Sequence, residues 1–152
     1  MKFSIISGVL GLAILVSCTE STDPGPRLSG DAYARWKSHN ITHYTIEESR
    51  NCFCPSGGKW VRVEVRNDSV LGVVDIANDT LVSQMFAQQC KSVDQLFAVI
   101  ASIDTHAVAS FEVCYDSIHG YPVSFFVDPD SRIVDEEYGY STRNLVFRVL
   151  RY

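Results

Sequence analysis

Trp60-Val61-Arg62-Val63-Glu64-Val65-Arg66 alternates apolar and charged residues without a break. Successive side chains of a strand point to opposite faces, so Val61, Val63 and Val65 share one face and Arg62, Glu64 and Arg66 the other. This is the pattern of a strand with one face on a core and one in water, the usual situation in antiparallel sheets. Asn67-Asp68 then turns the chain, and Val70 to Ile76 completes a hairpin.

Working outward, Thr42 to Cys54 reads as a strand that ends in the turn Pro55-Ser56-Gly57-Gly58. Before it, Asp31 to Asn40 reads as a short helix with Ala32, Tyr33 and Trp36 on one side. After the hairpin, Leu81 to Gln89 reads as a second short helix behind Asp79 or Thr80. Ser92 to Asp104 is a stronger helix. Ser92 and Gln95 make a capping box, and Val93, Leu96, Phe97, Ile100 and Ile103 form a stripe at helical spacing. Ser110 to Tyr115 is a strand followed by the loop Asp116 to Gly120. Pro122 to Val127 and Arg132 to Tyr138 read as strands joined by Asp128-Pro129-Asp130-Ser131, and Asn144 to Tyr152 is a candidate for one more.

The order helix-strand-strand-strand thus occurs twice. A shift of 62 positions lays Val61, Val63, Val65, Asp68, Ser69 and Leu71 on Val123, Phe125, Val127, Asp130, Ser131 and Ile133. Hairpins share alternation for physical reasons, so the match suggests a duplication without establishing one. The expected fold is α+β, a single antiparallel sheet of about six strands with its helices on one face.

The first residues belong to a different kind of segment. Lys2 precedes an almost unbroken apolar run from Ser4 to Val16, too short to span a bilayer and suited to a signal-peptide core. Leu15-Val16-Ser17-Cys18 resembles the lipobox of bacterial lipoproteins. That resemblance implies cleavage before Cys18, lipidation of its thiol and a place in the cell envelope. Thr19, not Asp, follows Cys18, which implies the periplasmic face of the outer membrane if the host is Gram-negative. Residues 1–17 are then a signal peptide, 18–30 a lipidated cysteine with a Pro- and Gly-broken flexible tether, and 31–152 one domain.

Removing residues 1–17 leaves 135 residues with 12 basic and 18 acidic side chains. So acidic a chain is a poor partner for nucleic acid. The expected partners are the membrane, through acyl chains on Cys18, and an envelope protein or small ligand.

Four cysteines remain besides Cys18: Cys52, Cys54, Cys90 and Cys114. Outside the cytoplasm an even number reads first as disulfides, and four allow three pairings. Zinc would suit four thiolates, but Cys-x-Cys is tighter than the usual ligand spacing. Cys52 and Cys54 could form a strained or redox-active pair. Helix Ser92–Asp104 rises about 18 Å. A return strand from Val108 covers about 20 Å by Cys114. The path brings Cys114 level with Cys90, so Cys90–Cys114 is the expected bridge, with Cys90 joined to Cys52 or Cys54 as the rival. One difficulty is that Cys114 points away from the helices if Phe111, Val113 and Tyr115 point toward them.

Tyr44, Cys52-Phe53-Cys54-Pro55, Val93-Asp94-Gln95-Leu96-Phe97 and Tyr115-Asp116-x-x-x-Gly120-Tyr121-Pro122 occur in this order, with Asp128 and Asp135-Glu136 behind them. Together they resemble a family of secreted and lipid-anchored bacterial proteins catalogued as a domain of unknown function (family 6174). The resemblance spans about residues 31–140 and brings no established activity or catalytic residues. Cys90 and Cys114 are outside its pattern.

Asp116 and His119 could act as an acid–base pair, but an Asx-turn closed by Gly120 explains them more simply. Tyr121-Pro122 is a candidate cis bond. Asp128, Asp130, Asp135, Glu136 and Glu137 could face calcium, yet positions six and twelve counted from Asp128 are Ile133 and Gly139, which breaks the EF-hand pattern. No catalytic, phosphate-loop or dinucleotide fingerprint occurs, so neither a catalytic residue nor a cofactor is expected. Trp60 and Phe126 fall on the solvated sides of their strands and are the candidate binding surface. The leading expectation is a membrane-tethered binding or envelope-associated module. The alternative is a thiol-redox or other small enzyme using Cys52 and Cys54.

Overall fold

The computed structural model describes residues 26–147. Cys18, the leader and the end of the Asn144 to Tyr152 run lie outside them. The elements in order are α1 (Pro26–Ser38), β1 (His43–Cys52), β2 (Trp60–Arg66), β3 (Ser69–Asp75), β4 (Thr80–Leu81), α2 (Gln84–Ala87), α3 (Val93–Ala101), β5 (Ser110–Tyr115), β6 (Pro122–Asp128) and β7 (Tyr138–Phe147). The strands make one seven-stranded sheet in the order β4-β3-β2-β1-β7-β6-β5. Every neighbouring pair is antiparallel. β4, β3, β2 and β1 form one run of four adjacent strands, β7, β6 and β5 one of three, and the runs join where β1 pairs with β7.

Alternation decides which face is buried. Val61, Val63 and Val65 of β2 lie under α1 and α3 with Tyr44, Ile46, Trp36, Val93 and Phe97. Phe125, Val127 and Tyr140 meet Leu96 and Ile100 of α3. Among the described residues, α1, α2 and α3 all pack on this face and none lies on the other. At the start of α3, Ser92 and Gln95 form the capping box, and the backbone N–H of Val93 donates to the Tyr44 hydroxyl at 2.8 Å. The Ser92 hydroxyl also donates to Asp68. These bonds satisfy helix-start N–H groups and tie α3 to the sheet.

Several expectations need correction. The sheet has seven strands, not about six, because two-residue β4 carries too little pattern to read. Helix α1 begins at Pro26, inside the expected tether, where proline suits a helix start. Helix α2 is a single turn capped by Ser83, not by Asp79 or Thr80. The expected strand Arg132–Tyr138 is absent. Asp130 accepts the backbone N–H and the guanidinium of Arg132, and its carbonyl accepts Ile133 N–H at 2.9 Å, which closes a turn. Three consecutive acidic residues, Asp135, Glu136 and Glu137, disfavour strand pairing there, and the strand starts at Tyr138, where the inward Tyr138-Tyr140-Thr142 alternation begins. β7 takes up the first residues of the expected terminal strand. The Tyr121-Pro122 bond is trans.

Candidate functional site

The uncovered sheet face holds both aromatic residues singled out from the sequence, in different places. Register sets Trp60 beside Ser49, Ser141 and Ser124, while Phe126 lies in the next row with Gly139 and Asn51. Three strand spacings separate them, roughly 14 Å, so they are not one patch. Trp60 is half-buried because the Arg143 guanidinium stacks on it, 3.9 Å from the ring centre. Arg143 Nε donates to Glu47 at 2.8 Å, and Asn144 donates to the same carboxylate at 2.9 Å. Asn144 has a left-handed φ of 52° where the β1–β7 register shifts, so Glu47 pins a bulge.

Phe126 keeps 38% of its surface exposed. It borders a groove of about 290 Å³ with Asn51, Cys52, Phe53, Asp135 and Glu137. Gly139, between Asn51 and Phe126 in the register, leaves the floor without a side chain. A Cβ there would strike the carbonyl of Phe125. Phe53 is the middle residue of a three-residue turn in which Cys54 N–H donates to the Cys52 carbonyl at 2.9 Å. A disulfide joins Cys52 to Cys54 across this turn, with Cα atoms 5.3 Å apart. The turn leaves Phe53 80% exposed beside the groove.

The expected Cys90–Cys114 bridge is not what the structure holds. Cys90 lies on the helix side of the sheet as a thiol, donating to the Phe86 carbonyl at 3.8 Å. Cys114 pairs with Ser124 in the row of the opposite face, so the sheet itself stands between the two. Strand order parts them as well, because Cys90 lies against Glu48 of β1 while β7 and β6 stand between β1 and β5.

Under the sheet, Glu48 is only 2% exposed and accepts Lys91 N–H at 3.2 Å. Burial pushes its carboxyl up to about 8, against the pull of the Lys91 N–H. Burial and the neighbouring Glu48 push the Cys90 thiol up to about 12. This pair was missed in the sequence, although the inward alternation of Tyr44 and Ile46 leads straight to Glu48. Cys90 also borders a broader groove, about 610 Å³, between residues 68–73 at the start of β3 and helices α2 and α3.

Asp116 and His119 shape a loop. The Asp116 carboxylate accepts N–H bonds from Ile118 at 3.1 Å and His119 at 2.6 Å, and Gly120 takes φ 84°. Asp94 has a similar structural part. Burial pushes its carboxyl up, but hydrogen bonds from Lys37, Trp36 and Tyr33 outweigh this and hold it below the usual carboxylate range. Among the described residues, no three His, Cys, Asp or Glu side chains gather as metal ligands would. No helix among them is long and apolar enough to cross a membrane.

The sequence profile of a family of unknown function (DUF6174) matches residues 30–147. The chain belongs to this family. No curated protein and no solved structure matches it. Within the family's span, the stretches that carried the resemblance hold the fold together. Tyr44 meets the start of α3, Cys-Phe-Cys makes the outer-face turn, and Tyr115 to Pro122 forms the loop against α1.

Proposed function

We propose that the chain is a lipid-anchored module of a bacterial cell envelope that works by binding. Cys18 would carry the acyl chains, and the domain would stand off the membrane on the residues before α1, at the outer membrane's periplasmic face in a Gram-negative host. The observation that carries the binding reading is the bare sheet face, where Phe126 and Phe53 border one groove beside the Cys52–Cys54 turn. Exposed aromatic side chains on a rigid frame mark partner surfaces. We also read the two halves as copies of one helix-strand-strand-strand unit. Val61, Val63 and Val65 of β2 and Val123, Phe125 and Val127 of β6 occupy corresponding core-facing places.

Two experiments test the reading. A fatty-acid label should mark the wild type and leave Cys18→Ala unmarked; label on both sinks the anchor. Crosslinking in intact cells should capture a partner that Phe53→Ala with Phe126→Ala loses. A capture indifferent to both substitutions sinks the binding surface.

The half-exposed Cys52–Cys54 bond favours a second reading, a thiol-redox protein. Thiol trapping in intact cells decides between them. A pair that cycles between oxidised and reduced forms supports the enzyme, and a permanently oxidised pair supports the module.

A further inference from the structure

The uncovered sheet face carries one kind of chemistry twice. At the first place the aromatic face of Trp60, the Glu47 carboxylate and the Arg143 guanidinium come together. An electron-rich ring face attracts a cation, and the planar, weakly hydrated guanidinium can stack on a ring while donating sideways to a carboxylate. At the second place Phe53 and Phe126 supply rings, and Asp135 and Glu137 supply carboxylates, around the Gly139 floor. Among the described residues, the basic side chains found over aromatic rings are Arg143 over Trp60 and Lys37 over Tyr33. Neither is at this groove.

Charge points the same way. Residues 128–137 hold five acidic side chains and one arginine, a net −4 within a chain of net −5. That arginine, Arg132, is engaged with Asp130 at 2.6 Å. At about 290 Å³ the groove holds one side chain, at the low edge of the ~300–1,000 Å³ range of small-molecule sites. Because it opens onto the bare face, the rest of an occupant would lie along the sheet.

We propose that this groove receives an arginine side chain from a basic segment of a partner protein, stacked on Phe126 and Phe53 and paired with Asp135 and Glu137. The proposal rests on the outer face being the binding surface. Arginine is preferred to lysine because an ammonium is a compact, strongly hydrated point charge that cannot stack flat on a ring and fork onto a carboxylate together.

The test uses the full chain in a non-ionic detergent and a fluorescein-labelled Ser-Arg-Gly-Arg-Ser peptide, read by anisotropy. Replacing the arginines with neutral, near-isosteric citrulline should weaken binding about tenfold or more, and lysine should bind about threefold more weakly than arginine. Raising salt from about 50 to about 300 mM should weaken it further. Phe126→Ala, and Asp135→Asn with Glu137→Gln, should each cost about tenfold. Exposed Phe53→Ala is the second variant, with no core packing to lose. Equal binding of the citrulline peptide, or wild-type affinity in all these variants, overturns the proposal. A photo-crosslinking residue in place of Phe53 separates the two failures. If it captures an envelope protein that the arginine peptide cannot displace, the arginine inference falls and the binding surface stands. If it captures nothing while residues elsewhere on the chain do, both fall.

Discussion

The Arg143 guanidinium lies over the ring of Trp60, 3.9 Å from its centre, and shields a tryptophan that alternation places on the solvated face. Removing the guanidinium in Arg143→Ala should expose the ring and shift tryptophan emission to the red. Trp36, at 2% exposure, contributes an unchanged blue component. The loss in stability should be about 1 kcal/mol in denaturant unfolding, since stacking and ion pair are both partly solvated. Unchanged emission would show that Trp60 is covered by something else.

Glu48 gives a pH dependence of definite sign. Its folded value of about 8 lies above the ordinary glutamate value of 4.5, so the native state holds a proton that the unfolded state releases. The favourable contribution is complete below the unfolded value and is lost as pH rises toward 8, by up to about 1.4 kcal/mol per pH unit. Glu48→Gln keeps an acceptor for Lys91 N–H and carries no charge. It should therefore gain on the wild type steadily between pH 5 and 8. Parallel stability curves for the two proteins would contradict a protonated Glu48.

Cys52→Ser with Cys54→Ser separates binding from folding. The bond closes only a three-residue loop, so chain entropy limits its contribution to roughly 1.6 kcal/mol. The double variant should stay folded by circular dichroism and melt within a few degrees of the wild type. Its capture of partners should drop, because Phe53 is no longer held beside Phe126. Retained capture with a normal melt would remove the turn from the binding surface.

Gly120→Ala should be severe. At φ 84° an alanine is strained, and its Cβ would run into the α1 backbone at Ala32 and Trp36. A loss of about 2–4 kcal/mol in thermal or denaturant unfolding is expected. A near-neutral change would mean that α1 sits less tightly on the Asp116–Gly120 loop than the structure has it.

Much of the framework was legible because its causes are local. Trp60–Arg66 and Ser110–Tyr115 alternate within themselves, and Ser92 with Gln95 caps α3 within one turn. Where local signals were weak, reading along the chain failed. Thr80–Leu81 is a strand only because β3 lies beside it. The stretch before Tyr138 has strand-like residues, but its turn bonds, such as Arg132 to Asp130, and its like charges hold it out of the sheet.

By itself the sequence determined which residues face inward, because strand and helix periodicity is a property of consecutive residues. Only the tertiary structure decided which of them meet. Trp60 finds Arg143, and Asn51 finds Phe126 across Gly139, because β7 inserts beside β1 and brings two halves of the chain into one face. Cys90 and Cys114 stay apart for the same kind of reason, each on its own side of the sheet. Contacts between distant residues depend on strand order and register, which arise from the balance of core burial against the entropy of closing long loops. No short stretch of residues contains that balance.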